Sequence, residues 1–385
     1  MRFLCHLRSK FNMAGIYIHI PFCKSRCAYC DFYSGSDFSL KEKFVESLCA
    51  EIRLRKNYLK SEKLRTIYFG GGTPSVLEKN DLSKILNEIH LNFNVLKNTE
   101  TTIEVNPDDI TENFAKMLHT LGFNRISIGI QSFNDTELKL INRRHSAQKA
   151  RDAVKICQTE DFDNISIDLI YGLPAQTPEI WENNLNEAIS LNIQHISAYH
   201  LSYEKGTKIY QMLEQGKISA VSEEVSLLMF KTLIDKLKDA GFEHYEISNF
   251  AQKGFRSQHN FSYWNDEKYL GIGASAHSYN GISRQWNITE NYIANVANGK
   301  TFFEIENLTP QEKYNDFIIT RLRTSEGINL AVLKEKFGES FFNYCLENAK
   351  QQIKSGFLQI KNNCLVLTEK GIFISDGILG DLIWG

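Results

Sequence analysis

The chain has 385 residues, of which 42% are hydrophobic, and its 44 Lys and Arg nearly balance its 46 Asp and Glu. This length and apolar content predict one large domain with a smaller one beside it. The formal charge of −2 gives no bulk attraction to nucleic acid or to an anionic membrane, so we expect no nucleic acid partner.

The first twelve residues, MRFLCHLRSKFN, lack the apolar run and the small-residue cleavage site of a signal peptide. Met13 stands directly before the first strand-like run and is an alternative start. No later stretch approaches the roughly 18 to 20 continuous apolar residues that a membrane-spanning helix needs. We therefore expect a cytoplasmic protein that reaches membranes only through its partners, with residues 1–14 as an N-terminal extension.

Six short β-rich runs follow one another before residue 205, and each interval is long enough for a helix. Ser39 and Glu42 suggest a capping box in the first interval, while Thr111 and Thr177 are suited to cap later helices. Alternating strands and helices form parallel β–α units, and six of them predict a partial (β/α)6 TIM-like barrel over residues 15–222. The runs are IYIHI (16–20), RTIYFGG (65–71), TTIEVNP (101–107), RISIGIQ (125–131), NISIDLIYG (164–172) and HISAYHLS (195–202).

Polar residues and glycines collect at the carboxyl ends of these runs, where β/α barrels carry their chemistry. The first run leads into a group of cysteines, and the second leads into GGGTP (70–74). We therefore expect one rim of the barrel to gather the strand-end side chains. Those of the later runs are Glu104, Asn106, Gln131, Asp168, Tyr199 and His200.

The alternation loosens after residue 222. Residues 223–304 are interpreted as a barrel-associated segment with an aromatic-rich stretch. Residues 305–385 contain Thr309 and Glu312, which open a capped helix, and a hairpin-like stretch at 356–371. This pattern predicts a smaller, mainly helical C-terminal domain that is winged-helix-like.

Three of the eight cysteines, Cys23, Cys27 and Cys30, fall within eight positions directly after the first strand. Clustered cysteines in a reducing compartment serve as ligands or catalysts more often than as disulfides. Three thiolates on one loop suit three irons of a [4Fe–4S] cluster, with the fourth iron open to another ligand. A three-thiolate zinc site completed by His19 and a chance clustering are the alternatives. The other cysteines, interpreted as buried or incidental thiols, are Cys5, Cys49, Cys157, Cys345 and Cys364.

The C-x3-C-x2-C spacing after the first barrel strand, with Tyr29 before the third cysteine, resembles the radical S-adenosylmethionine (SAM) superfamily. The resemblance implies that Cys23, Cys27 and Cys30 bind the cluster and that SAM chelates its open iron. GGGTP is similar to the superfamily's glycine motif, which lines the methionine end of SAM. Arg143 lies where the family has a SAM-binding polar residue, and its neighbour Arg144 is an equal candidate for that role. The SAM-binding residues implied are Tyr17, Tyr29, Gly71, Gly72, Thr73, Glu104, Gln131, Arg143, Asp168 and Tyr199.

YIHIPFC, CDF, GGGTP, IGIQSFN and DLIYGLP together resemble the coproporphyrinogen III dehydrogenase-like branch, over roughly residues 15–375. The anaerobic dehydrogenases of that branch carry a fourth cysteine two positions after the third, where this chain has Phe32, and a longer N-terminal arm. Both departures favour the subfamily of HemW haem chaperones, whose H-N-x-x-Y-W signature HNFSYW (259–264) fits.

The resemblance implies that HNFSYW binds haem. His259 is the leading axial ligand, and Tyr263 and Trp264 are expected to stack on a porphyrin face. His200 and His277 are lesser candidates for the same role.

The resulting hypothesis is a chaperone that binds a [4Fe–4S] cluster, SAM and haem and delivers haem to acceptor proteins such as respiratory enzymes. An electron donor is a further expected partner, a homodimer is left open, and no catalytic residue is assigned. The alternative is an oxygen-independent coproporphyrinogen III oxidase that uses SAM radical chemistry. A third class, a nucleic-acid-modifying radical SAM enzyme, lacks the basic surface that such a substrate requires.

Overall fold

The structure, a computed structural model, describes residues 13–385, so Cys5 and the rest of the first twelve residues lie outside the described residues. Strand β1 already includes Met13 and Ala14, the last two residues of the expected extension. Each of the six β-rich runs forms a strand. Strands β1 to β6 are Met13–Ile20, Lys63–Gly71, Asn94–Val105, Arg125–Gln131, Ile165–Tyr171 and His195–His200.

Helices fill the intervals between these strands. Thr111 and Thr177 cap two of them as predicted, accepting the backbone N–H groups of Phe114 and Ile180. The capping box predicted from Ser39 is wrong, because the first helix begins two residues later and no side chain caps it. Helices α1 to α6 are Lys41–Leu54, Lys79–Asn92, Glu112–Thr120, Asp135–Leu140, Ala147–Thr159 and Pro178–Ser190.

Strands β1 to β6 pair in parallel in chain order and form the centre of an open sheet of twelve strands. The partial barrel predicted from the sequence is thus confirmed, and the sheet continues beyond it on both sides. Strand β9 adds in parallel to β1, and β10 to β12 follow antiparallel, while β8 and β7 extend the β6 side. These additions are α7 (Lys208–Glu214), α8 (Glu223–Asp239), β7 (Glu243–Glu246), β8 (Asn249–Ala251), α9 (Gln258–Trp264), β9 (Lys268–Ile272), β10 (His277–Tyr279), β11 (Ser283–Asn287), α10 (Tyr292–Ala297) and β12 (Phe303–Asn307).

Alternation along the strands decides which side chains reach the barrel interior. In β1, Ile16 and Ile18 are fully buried in the main apolar core, whereas Tyr17 and His19 line a cavity. The interior-facing residues of the neighbouring strands form two layers. In the lower layer Thr66 and Glu100 are register partners in β2 and β3, five residues before the last residue of each strand, and the strand-end residues form the upper layer.

The C-terminal part has its own apolar core and is mainly helical with a small three-stranded sheet, as predicted. Its contacts with the rest of the chain include a hydrogen bond from Arg321 to the Asn265 carbonyl at 3.3 Å and an ion pair of Lys336 with Asp266. Backbone hydrogen bonds also cross this boundary, as from Ser325 N–H to the Tyr245 carbonyl at 3.0 Å. None of the helices in residues 13–385 combines the length and the apolar character needed to cross a membrane. The C-terminal elements are α11 (Pro310–Leu322), β13 (Ile328–Asn329), α12 (Leu330–Lys354), β14 (Leu358–Lys361), β15 (Cys364–Leu367), α13 (Glu369–Ile372) and α14 (Ser375–Leu382).

Candidate functional site

The cysteine-bearing loop is fixed to the barrel rim by backbone hydrogen bonds. Cys23 N–H donates to the Gly35 carbonyl at 2.9 Å, and Gly35 N–H donates to the Pro21 carbonyl at 2.8 Å, so the loop closes on itself. Ala28 N–H donates to the Ile141 carbonyl at 3.0 Å, which ties the loop to the end of α4. The three thiols are thereby held over the mouth of the barrel without a disulfide, since each is a free cysteine.

These thiols open onto a cavity of about 470 Å³, the cluster cavity. Cys23, Cys27 and Cys30 line it together with nine of the ten residues expected to contact SAM. The structure therefore brings together strand ends that are separated by up to about 170 positions along the chain, as expected for one rim of a β/α barrel. The nine are Tyr29, Gly71, Gly72, Thr73, Glu104, Gln131, Arg143, Asp168 and Tyr199.

The surroundings of the thiols suit ligands that bind in the thiolate form. Thr73 Oγ1 donates to Cys23 Sγ at 3.3 Å, and Arg143 Nη1 donates to Cys27 Sγ at 3.2 Å. A hydroxyl donor and a guanidinium both stabilise negative charge on sulfur. Cys30 differs, because burial raises its pKa and the neighbouring Cys27 and Cys23 add to that rise.

The described residues contain no three His, Cys, Asp or Glu side chains gathered closely enough to hold a single metal ion. His19, the fourth ligand of the zinc alternative, lines a different cavity. Its Nδ1 is 3.1 Å from the Tyr17 hydroxyl, and its Nε2 is 3.1 Å from the Tyr33 carbonyl oxygen. Both ring nitrogens of His19 are thus occupied, which favours the iron–sulfur interpretation over the zinc one.

Two neighbouring arginines are separated by the fold. The guanidinium of Arg143 lies in the cavity wall, where it also donates to the Gly129 carbonyl. Arg144 points to two acids outside the cavity, with Nη2 at 3.5 Å from Asp108 and 3.6 Å from Asp109. The ambiguity left by the sequence is resolved in favour of Arg143 as the cavity residue.

The GGGTP loop is tied to the cysteine loop by two backbone hydrogen bonds. Gly72 N–H donates to the Ile20 carbonyl and Thr73 N–H to the Phe22 carbonyl, both at 2.8 Å. A Cβ on Gly72 would lie 2.8 Å from both of those carbonyl oxygens, so a larger residue would separate the loops. Gly71 adopts a φ of +104°, which few other residues tolerate. The glycines therefore leave the backbone exposed at the cavity wall.

Two carboxyl groups that line the cluster cavity, Glu104 near the end of β3 and Asp168 within β5, are suited to accept hydrogen bonds from a polar ligand. Glu104 Oε1 accepts from the Tyr68 hydroxyl at 2.8 Å and Oε2 accepts from Gly71 N–H at 3.2 Å. Burial raises the pKa of Glu104 to about 7 and that of Asp168 to about 6, against opposing hydrogen bonds from Tyr68 and Ser197 respectively. Both groups are therefore poised to change charge near neutral pH.

A second cavity of about 440 Å³, the aromatic cavity, lies between the β9–β11 edge of the sheet and helix α11. Tyr17 lines this cavity and is not among the residues lining the cluster cavity, yet its ring lies near Glu104, since a Cβ on Gly70 would be 3.0 Å from both Tyr17 Cε2 and Glu104 Oε1. Tyr17 stands in the middle of β1, where its ring packs against Tyr68 at a centroid distance of 6.1 Å. Phe32 lines both cavities and is the wall that they share.

The HNFSYW segment forms α9, which packs inside the barrel against the lower layer of β1 and β2. His259 is 1% exposed, with Nδ1 at 2.8 Å from Thr66 Oγ1 and Nε2 at 2.8 Å from the Tyr263 hydroxyl. Its ring stacks on Tyr68 at 4.9 Å, and burial lowers its pKa to about 3. Glu100, a residue that the sequence interpretation missed, anchors the segment by accepting the N–H of His259 at 3.1 Å.

The remaining members of the haem motif and the lesser histidines occupy different places. Tyr263 lines the aromatic cavity, whereas Trp264 lines neither of the two cavities described here, and its buried indole N–H has no partner in residues 13–385. His200 lines the cluster cavity with Nε2 at 3.0 Å from Ser226 Oγ. His277 lines the aromatic cavity. These four residues are thus divided, with Tyr263 and His277 at the aromatic cavity, His200 at the cluster cavity and Trp264 at neither.

Comparisons with known proteins match both parts of the chain. The radical SAM superfamily model matches residues 17–188, and the HemN C-terminal domain model matches residues 308–374. The protein named "Heme chaperone HemW" of Bacillus subtilis (strain 168) is 33% identical over 96% of this chain and 98% of its own length. Its namesake of Lactococcus lactis subsp. lactis (strain IL1403) is 34% identical over 94% of this chain and 95% of its own length.

Among solved structures, coproporphyrinogen III oxidase (HemN) from Escherichia coli, described as a radical SAM enzyme, is similar over 98% of this chain and 91% of its own. The TM-score is 0.84 and the sequence identity is 23%. At that identity the similarity shows a shared fold, in which a partial barrel is followed by the mainly helical C-terminal part.

Proposed function

This chain belongs to the HemW family of the radical SAM superfamily, and from that membership we propose that it carries haem and delivers it to acceptor proteins. The observation that supports the proposal most directly is the end-to-end similarity, at 33% and 34% identity, to two proteins named as haem chaperones. Membership of the superfamily implies a [4Fe–4S] cluster and SAM. The cysteine loop and the cluster cavity fit both groups, because three half-buried thiols face polar strand ends there.

We propose Cys23, Cys27 and Cys30 as the cluster ligands. The bound cluster and SAM would supply one-electron chemistry at the open iron. The protein's own contribution is electrostatic and steric. Arg143 and Thr73 stabilise the sulfur charge through their contacts with Cys27 and Cys23.

The SAM contacts are proposed from the same cavity. Glu104 and Asp168 offer carboxylates to the ribose or ammonium groups, and the backbone of Gly71 and Gly72 lines the methionine end. Tyr29, Gln131 and Tyr199 complete the wall. These roles rest on the shared cavity together with the family resemblance.

The carrier function also implies an acceptor, such as a respiratory enzyme, an electron donor and a cytoplasmic location from which membrane-bound acceptors are reached through protein contacts. For the haem ligand itself, His259 stays a prediction that carries a structural cost. The imidazole would have to give up its hydrogen bond to Thr66 or to Tyr263 before a ring nitrogen could reach iron.

One experiment separates carriage from catalysis. The cluster is reconstituted anaerobically in the full chain, and haem transfer to an apo-acceptor is measured beside coproporphyrinogen III conversion with SAM and a reductant. We expect haem uptake and transfer with no conversion, because Phe32 stands where the oxidases of this branch carry a fourth cysteine.

The opposite result would identify the protein as a catalyst and not a carrier. Conversion of coproporphyrinogen III without haem binding would overturn the carrier proposal in favour of the oxygen-independent oxidase. A matched sample without the cluster shows whether haem transfer depends on the iron–sulfur centre.

A further inference from the structure

The histidines near the two cavities differ in whether their ring nitrogens are available. Both nitrogens of His259 and both nitrogens of His19 have hydrogen-bond partners. His277 lines the aromatic cavity with its side chain exposed, and neither of its ring nitrogens has a hydrogen-bond partner within residues 13–385. An imidazole with a free lone pair is what an axial haem ligand requires.

The backbone that carries His277 is held firmly. A Cβ on Gly271 of β9 would lie 2.1 Å from the His277 carbonyl oxygen, so the two strands approach as closely as a glycine permits. The next residue, Ser278, is buried and its hydroxyl accepts Gly271 N–H at 2.9 Å and Arg55 Nη2 at 3.2 Å. Since adjacent residues of a strand point to opposite faces, fixing Ser278 inward directs His277 into the cavity.

Aromatic rings line the cavity that this imidazole faces. Tyr263 and Tyr269 pack edge to face at a centroid distance of 4.6 Å and form one wall of the cavity. Phe32, which is 63% exposed, and Phe317 of α11 line it elsewhere. Flat, apolar ring faces that are open to solvent are suited to contact a planar macrocycle.

The charges around the cavity do not oppose an anionic porphyrin. The acids that line it are each paired, Asp266 with Lys336, Glu267 with Arg65 at 3.0 Å, and Asp316 with Arg284. Arg284 is the one Lys or Arg among the residues that line the cavity, and it faces the same space as His277. Its guanidinium is available to share with a propionate carboxylate.

We propose that the aromatic cavity holds the haem and that His277 supplies an axial ligand to its iron. This inference rests on the proposed carrier function and names the site for it. HNFSYW takes part in this site, since α9 contributes the Tyr263 wall and His259 holds the Tyr263 hydroxyl at 2.8 Å. Because Phe32 lines both cavities, the haem would lie next to the cluster cavity.

The test uses the full chain with its cluster reconstituted. Haemin is titrated into the wild type, His277→Ala, His277→Gln and a matched control, His90→Ala, which removes an exposed histidine of α2. We expect both His277 variants to bind haemin at least tenfold more weakly and to lose the histidine-ligated signature in the Soret band and in electron paramagnetic resonance. Added imidazole should restore that signature in His277→Ala.

Three outcomes overturn the inference while leaving the carrier function intact. One is wild-type affinity and spin state in both His277 variants. Another is loss of the ligated signature in His259→Gln alone, with circular dichroism unchanged. The third is equal weakening for iron-free protoporphyrin IX in His277→Ala, which would reveal damage to the cavity and not loss of a ligand. A wild type that takes up no haemin overturns the proposed function itself.

Discussion

The cluster cavity and the aromatic cavity share Phe32 but are built in different ways. The cluster cavity is made of strand ends and loops of one barrel, which backbone hydrogen bonds such as Gly72 N–H to the Ile20 carbonyl join at 2.8 Å. The aromatic cavity is made of two parts of the chain, the β9–β11 part of the sheet and α11, which side-chain pairs such as Lys336 with Asp266 join beside the cavity. Away from the cavity, backbone hydrogen bonds such as Ser325 N–H to the Tyr245 carbonyl, at 3.0 Å, also hold the C-terminal part to the sheet.

This difference matches what each cavity is expected to hold. Backbone hydrogen bonds within one core keep a fixed geometry, which a resident cofactor needs. Surface ion pairs contribute little to stability, about 0 to 1 kcal/mol each, so the pairs beside the aromatic cavity restrain its walls less than backbone hydrogen bonds restrain the barrel rim. A cargo that must leave is better placed at the boundary than in the barrel. If the two cavities are separate, a substitution in one should leave binding in the other unchanged.

The largest expected effect is loss of the cluster without loss of the haem site. In Cys27→Ala the cluster should fall to background, because a [4Fe–4S] centre held by three thiolates cannot keep its place with two. Haemin affinity should stay within about threefold of the wild type, because His277 and the aromatic walls are unaltered. Iron analysis, visible absorbance and a haemin titration measure both quantities.

Cys49→Ala is the matched control, since Cys49 is a buried thiol of α1 that does not line the cluster cavity. It should retain full iron content. A normal iron content in Cys27→Ala would remove that residue from the ligand set, and a parallel loss of haemin binding would show that the cavities are one unit.

The next largest effect is the difference in stability between variants of two histidines, His259 and His277. His259→Ala should lower the free energy of unfolding by about 2 to 4 kcal/mol, because the Thr66 and Tyr263 hydroxyls lose a buried partner and the ring leaves a gap beside Tyr68. His277→Ala removes an exposed ring and should change the free energy of unfolding by less than about 0.5 kcal/mol. Urea unfolding of the ligand-free proteins checks both values.

Thr66→Val separates hydrogen bonding from packing in this contrast. It keeps the volume and removes one hydroxyl, so we expect a loss of about 1 to 2 kcal/mol. Equal stability of His259→Ala and the wild type would mean that His259 is not a structural residue and would restore it as the leading haem ligand.

The cluster cavity could be predicted from the sequence because each of its parts is local. Short runs such as the cysteine loop and GGGTP stand directly after strands, and parallel strands bring their carboxyl ends to one rim. Gln131 follows from the same rule. Asp168 and Tyr17 both stand within a strand, where alternation and not position at the strand end decides the direction of the side chain.

The aromatic cavity could not be predicted in this way. Its walls come from β1, α9, the β9–β11 edge and α11, whose meeting depends on how the C-terminal part packs on the barrel. HNFSYW was visible as a motif, but the burial of His259 depends on Thr66 and Glu100, which lie on two strands far away in the chain. A resemblance names the motif, and packing decides which of its atoms are exposed.

A smaller effect concerns the polar floor of the cluster cavity. The pKa of Glu104 in the folded chain, about 7, lies above its usual 4.5, so folding favours the protonated form. This contribution to stability is complete below about pH 4.5 and is lost as the pH rises through 7. Relative to Glu104→Gln, the wild type should therefore lose about 2 kcal/mol of unfolding free energy between pH 5 and pH 8, less than the full shift implies because the cavity admits water.

Urea unfolding of the ligand-free chain at the two pH values gives this difference. In Glu104→Gln the unfolding free energy should still fall somewhat with rising pH, because burial raises the pKa of Asp168 to about 6. That remaining fall should be confined to the lower part of the interval between pH 5 and pH 8. Glu204→Gln, at an exposed position, is the control and should follow the wild type. Identical slopes in wild type and Glu104→Gln would show that the carboxyl is not protonated by burial.

The smallest expected effect tests the wall between the cavities. Phe32→Ala should weaken haemin binding about two- to threefold, because the ring is 63% exposed and offers only one of its faces to the macrocycle. Its iron content should equal that of the wild type, since no cluster ligand changes. Leu91→Ala, which removes an apolar side chain that is 80% exposed on α2, should affect neither. If Phe32→Ala instead lowered iron content and haemin affinity together, the shared ring would couple the two cavities, and occupancy of one would regulate the other.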